Sequence, residues 1–94
     1  MSEAVDRTLT VGNPRGLHAR VAARLVQAVD AHAAEVTLSR DGLDVRGDSI
    51  MGLMMLAAHA GCCVHVRAEG GDAAAAVAAV AEVLDAPEAG AVEG

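Results

Sequence analysis

Not one of the 94 residues is Phe, Tyr or Trp. Aromatic side chains normally supply the largest single burials of a small domain, about 150–250 Å² each. A fold built from this chain must therefore close its core with Val, Leu, Ile, Met and Ala. Ala is the commonest residue, at 22, and Val and Leu add 13 and 8. Such small side chains let elements approach closely, so the composition favours helices laid tightly on a sheet. Hydrophobic residues make up 53% of the chain, which rules out a disordered polymer. A chain of this length forms one domain and buries roughly 60–70% of its unfolded surface.

Several functional classes drop out on the same grounds. The longest apolar stretch, Ile50 to Ala60, is about half of the ~20 residues that a membrane span needs. No charged segment followed by an apolar run opens the chain, so no signal peptide is expected. The net charge is −6, with 13 acids against 7 bases, every base being Arg. Without aromatic rings to stack on bases, nucleic-acid binding is not expected. The two cysteines, Cys62 and Cys63, are adjacent and make no disulfide framework. The simplest setting is a reducing cytoplasm, without cofactor.

Hydrophobic periodicity sets the order of elements. Leu9 and Val11 alternate with Thr8 and Thr10, predicting a first strand over about residues 6–11. After the loop Gly12–Gly16 the period changes. Ala22, Leu25, Val26, Val29 and Ala33 recur at helical spacing from Ala19 to about Ala31. Val36 and Leu38 mark a second strand, and Leu43 and Val45 a third. Between them Asp41-Gly42 is a two-residue hairpin signal, because both positions favour positive φ. Ser49 is a candidate N-cap for a short helix expected to end near Gly61. Cys62, Val64, Val66 and Ala68 alternate with Cys63, His65 and Arg67 as a fourth strand. Asp72 is a candidate N-cap for a last helix carrying Val77, Val80, Ala81 and Leu84, which Pro87 closes. The pattern is βαββαβα, an α+β domain over residues 1–88 with 89–94 as a frayed tail. One apolar face per strand predicts an antiparallel sheet with helices on one side.

The most unusual local sequence is Gly16-Leu17-His18-Ala19-Arg20, where the first loop becomes the first helix. The first amides of a helix lack intrahelical partners and sit at the positive end of its dipole, so they form an anion site. A histidine placed there can accept a phosphoryl group whose oxygens meet those amides and the guanidinium groups of Arg20 and Arg15. On this pattern alone, His18 is as readily a loop residue without chemistry. The segment Ser49–Leu56 is also ambiguous. Ser49 is by default a cap and alternatively a phosphorylation site, since a helix N-terminus tolerates a phosphate. Ile50, Met51 and Met54 project as an adaptable docking patch or, slightly favoured by spacing, all four methionines fill gaps in a core without aromatics. His59, Cys62, Cys63 and His65 lack the spacing of a closed zinc site, and no metal is expected. His32 is expected to serve the C-terminal end of its helix or to lie in solvent.

Asn13-Pro14-Arg15-Gly16-Leu17-His18-Ala19-Arg20 resembles the active-site segment of the HPr family, the histidine phosphocarriers of the bacterial phosphoenolpyruvate-dependent phosphotransferase system. Ser49-Ile50-Met51-Gly52-Leu53-Met54 resembles the family's regulatory-serine segment. Val66–Gly70 resembles the turn before its last helix. The resemblance covers about residues 5–85. It implies an open-faced β-sandwich with sheet order 1-4-2-3 and three helices on one face. It implies that His18, through Nδ1, takes a phosphoryl group from enzyme I and passes it to an enzyme IIA-type acceptor. Arg20 would assist transfer, Ser49 would be the target of an HPr serine kinase/phosphorylase, and Ile50, Met51 and Met54 would form the docking patch. Such a protein is a monomeric substrate of other enzymes, not an enzyme itself.

The sequence departs from the family pattern at three points. Val21 stands where Pro is usual, which loosens the helix start and adds an amide donor. Arg15 replaces a small polar residue and adds charge near His18. Asp48 stands where a base is common, and its charge would oppose a phosphate on Ser49. Met54–Ala58 resembles the proteobacterial branch that includes nitrogen-linked regulatory carriers more than the sugar-transport branch. A regulatory protein-binding module of that branch, tuned by phosphorylation, is the alternative reading.

Overall fold

A computed structural model describes residues 4–56 and 58–85. The elements are β1 (Ala4–Thr10), α1 (Ala19–Asp30), β2 (Glu35–Arg40), β3 (Leu43–Arg46), α2 (Ile50–Met55), β4 (Cys63–Glu69) and α3 (Ala73–Asp85). The strands form one antiparallel sheet in the order β1-β4-β2-β3. The expected order and the expected architecture are both present. β4, last of the strands in the chain, sits between β1 and β2 and is buried at every second residue: Val64, Val66 and Ala68 face the helices.

The core needs no aromatic ring. Val36, Leu38, Val64 and Val66 from the sheet meet Val21, Ala22, Leu25 and Val29 of α1, Leu53 of α2, and Val77, Val80 and Leu84 of α3. Ala22, Ala68, Ala73 and Ala76 are fully buried, and their lack of bulk is what lets α1 and α3 settle onto the strands. Asp41 (φ 51°) and Gly42 (φ 84°) make the β2–β3 turn, the left-handed pair expected of a hairpin whose twist matches its strands.

Two elements, β1 and the short helix, differ in extent from expectation. β1 begins at Ala4 and stops at Thr10, because the amides of Gly12 and Asn13 both turn to the carbonyl of Leu84 and draw the chain toward α3. The short helix ends at Met55, well before Gly61. Gly61 (φ 89°) instead turns the chain into β4, in a bend closed by the Cys62 amide on the His59 carbonyl (3.0 Å). Asp72 immediately precedes α3, but its carboxylate accepts from the Ala33 amide (3.0 Å), tying the α1–β2 loop to the start of α3. α1 ends at Asp30, and Ala33 lies exposed beyond it. Pro87 and the expected tail 89–94 lie outside the described residues.

The second face of the sheet is open and polar. On it Asp6 of β1 accepts from His65 (2.9 Å) and Arg67 (2.8 Å) of β4, and Arg67 also donates to Glu69 (2.9 Å). The hydrogen bond from His65, then the Arg67 guanidinium, holds the Asp6 carboxyl below its ordinary range. This cluster pins the edge strand β1 to β4.

Candidate functional site

The loop before α1 is built around Asn13. Asn13 is fully buried, the one buried polar side chain among the described residues. Its Oδ1 accepts from the Arg15 amide (3.0 Å) and its carbonyl accepts from the Gly16 amide (2.9 Å). These two bonds fold residues 13–16 into nested turns. In the sequence Asn13 stands only as the start of the loop segment, without a role of its own; an Asn followed by Pro is the turn signal that marks it.

Gly16 then brings the chain against the segment after α2. It has φ 73°, and a Cβ there would lie 2.8 Å from both the Ala58 carbonyl oxygen and the His59 Cα. Leu17, buried, donates to that same Ala58 carbonyl (2.8 Å). The close approach fixes where the next residue, His18, stands.

His18 is the N-cap of α1, with extended backbone (φ −98°, ψ −178°). Its carbonyl closes the first helical turn by accepting from Ala22 (2.9 Å). Its ring folds back so that Nδ1 accepts from the Arg20 amide at 3.3 Å, in an exposed position. An imidazole nitrogen that accepts from an N–H carries a lone pair, so the neutral ring has its proton on Nε2. Nε2 is shielded from solvent. The exposed, lone-pair-bearing nitrogen is thus Nδ1, and it stands over the positive end of a twelve-residue helix. Arg15 and Arg20 are both exposed, on the loop and the first turn of that helix; Arg24 is half-buried one turn on. Val21 is buried in the core.

The second predicted segment also takes defined positions. Ser49 is the N-cap of α2, its Oγ accepting from the Gly52 amide (3.0 Å). Arg46 grips both carboxylate oxygens of Asp48, at 3.0 and 3.1 Å. That hydrogen-bonded guanidinium holds Asp48 below the ordinary carboxylate range and offsets its charge beside Ser49. Leu53 and Leu56 are buried, whereas Ile50, Met51 and Met54 are exposed. The gap-filling role favoured by spacing is therefore wrong: leucines fill the core, and the methionines project. Met55, which the same gap-filling role would have placed in the core, is exposed as well.

The other histidines are accounted for locally. His32 Nδ1 lies 2.8 Å from the Ala28 carbonyl in the last turn of α1, and His59 bonds within its own loop. Cys62 is half-buried and Cys63 exposed. Among the described residues no three His, Cys, Asp or Glu side chains cluster as metal ligands would, and no helix is long and apolar enough to cross a membrane.

The fold is thus a four-stranded open-faced sandwich with a histidine capping its first helix, an arrangement shared with a family of small phosphocarriers. Residues 5–86 match the family model described as the phosphotransferase-system HPr component phosphorylation site. The phosphocarrier protein HPr of Xylella fastidiosa (strain Temecula1) is 42% identical over 81 residues, 86% of this chain and 91% of that protein. That of Cupriavidus necator is 43% identical over 68 residues, 72% and 76% of the two chains. The crystal structure of HPr from Bacillus anthracis superimposes with a TM-score of 0.82 at 36% identity, covering 86% of this chain and 96% of that one. This chain belongs to the HPr family of phosphotransferase-system phosphocarriers.

Proposed function

We propose that His18 accepts a phosphoryl group from phosphorylated enzyme I, ultimately from phosphoenolpyruvate, and passes it to an enzyme IIA-type acceptor. The observation that carries this is the orientation of the ring: Nδ1 exposed at the N-terminus of α1, Nε2 shielded. The Nδ1 lone pair attacks phosphorus in line as the bond to the donor breaks. Charge on the transferring oxygens is met by the amides at the start of α1 and by the guanidinium of Arg20, with Arg15 adding positive charge. The Arg20 amide bond to Nδ1 is long, so little is lost when that amide turns to a phosphoryl oxygen. The same geometry lets the group leave. A carrier must hold the phosphoryl group without burying it.

In this reading the protein is a substrate of other enzymes, acting as a monomer in the cytoplasm. Ile50, Met51 and Met54 form the docking surface, on the helix whose following segment holds Gly16 and Leu17. Thioether side chains suit a surface that meets a donor and an acceptor in turn. Ser49 is the site for an HPr serine kinase: a phosphate there caps α2, with Asp48 already matched by Arg46.

The test is incubation with phosphoenolpyruvate and enzyme I. One acid-labile phosphoryl group is expected per chain, absent in His18→Ala. Labelling that persists in that variant refutes the assignment.

A further inference from the structure

Met51, Met54 and Met55 are 75%, 41% and 65% exposed. They stand at i, i+3 and i+4 on α2, spacings that make side chains neighbours on a helix surface. Three thioethers thus share one patch, while the buried positions of the same segment, Leu53 and Leu56, carry no sulfur. We propose that these three methionines are an oxidation site, and that their conversion to sulfoxides weakens docking while leaving the fold and His18 intact.

The step uses a peroxide as oxidant. A sulfur lone pair attacks one peroxide oxygen, the O–O bond breaks, an S–O bond forms, and the displaced oxygen leaves as water after proton transfer. Sulfur loses two electrons and the peroxide gains them. The product is a polar, chiral side chain in place of a flexible apolar one, and it is reversible by methionine sulfoxide reductases. Exposure decides the selectivity, because no core leucine must move for the oxidant to reach these sulfurs. It also decides the consequence. A sulfoxide in solvent costs the free protein little, but a partner that buries the patch must then desolvate the new S–O dipole. The effect on partner binding is about tenfold for each oxidised methionine that the contact buries. The absence of any aromatic residue sharpens this dependence, since no ring can anchor the contact in place of the thioethers.

This inference rests on the docking role proposed above, and its experiment separates the two. The full chain carrying Cys63→Ser, which removes the exposed thiol, is treated with graded hydrogen peroxide. Tryptic cleavage after Arg46 and Arg67 releases one peptide with all three methionines, and fragment masses assign the added oxygens. Enzyme I is then assayed with the treated protein as phosphoryl acceptor. Expected are oxygens on Met51, Met54 and Met55 with unchanged thermal melting, and a rise in KM of tenfold or more. The Met51→Leu/Met54→Leu/Met55→Leu protein should keep its KM through the same treatment. Any of three results overturns the proposal: these methionines resisting oxidation in the folded protein, an unchanged KM after oxidation, or an equal loss in the triple-leucine protein. Failure of the untreated protein to take a phosphoryl group would instead refute the carrier reading; the oxygen map still tests the modification site.

Discussion

Replacing Gly16 by Ala probes how His18 is held. Two costs can be separated there. The first is conformational: φ is 73°, and an L-residue in the left-handed region costs roughly 1–2 kcal/mol. The second is steric. The new Cβ would lie 2.8 Å from the Ala58 carbonyl oxygen and the His59 Cα, closer than real Cβ atoms come. Both atoms are backbone, so no side-chain rotation relieves them. Overpacking of this kind adds about 1–3 kcal/mol. Gly42→Ala is the internal control. It has φ 84° with nothing within 4 Å of the added carbon, so it bears only the first cost. Urea denaturation of both variants should show Gly16→Ala the less stable by roughly 1–3 kcal/mol. Phosphoryl acceptance from enzyme I should fall in Gly16→Ala alone, because the loop must move away from Ala58 and carry His18 with it. Equal stability losses in the two variants would refute the steric argument. A destabilised Gly16→Ala protein with full acceptor activity would refute the link from close approach to His18.

Other expectations follow from the same geometry. Asn13→Leu leaves the Arg15 amide without its Oδ1 acceptor and should cost about 1–3 kcal/mol in chemical denaturation, together with a lower rate of His18 phosphorylation; a variant as stable and as active as the parent would exclude Asn13 as the organiser of the loop. Ser49→Ala removes the cap on α2 and should lose about 0.5–2 kcal/mol by the same measurement, with His18 phosphorylation by enzyme I retained. The Asp6 carboxyl is depressed by its hydrogen bond from His65 and by Arg67, so its stabilisation is complete above its ordinary value of 3.8 and is lost as pH falls through the lower folded value. Melting temperatures of wild type and Asp6→Asn should therefore converge only below that pH, and a gap that closes near neutrality would count against the cluster.

The main elements were legible where the period is clean, as in β4 and α1. Alternation in β4 and the 3.6-residue recurrence in α1 follow from one buried face apiece, and the Asp41-Gly42 turn follows from backbone sterics. The boundaries were less so. Where α2 ends, and where β1 stops, is settled by contacts with distant segments: Ala58 with Leu17, and Leu84 with Gly12 and Asn13. No local pattern encodes those. The site divides the same way. His18 at a helix start and Ser49 as a cap stood out in the chain itself, while the part played by Asn13 did not, because burial of a polar side chain is a property of the whole fold.

Composition alone required an aromatic-free core, and local sequence alone put a histidine at the head of α1. Neither could say which ring nitrogen faces outward. That depends on the Arg20 amide reaching back to Nδ1 while the surrounding protein covers Nε2. Nor could periodicity decide the methionines. On a helix as short as α2, three apolar side chains point inward or outward according to whether leucines already fill the space beneath. Here Leu53 and Leu56 fill it, and the thioethers are left at the surface.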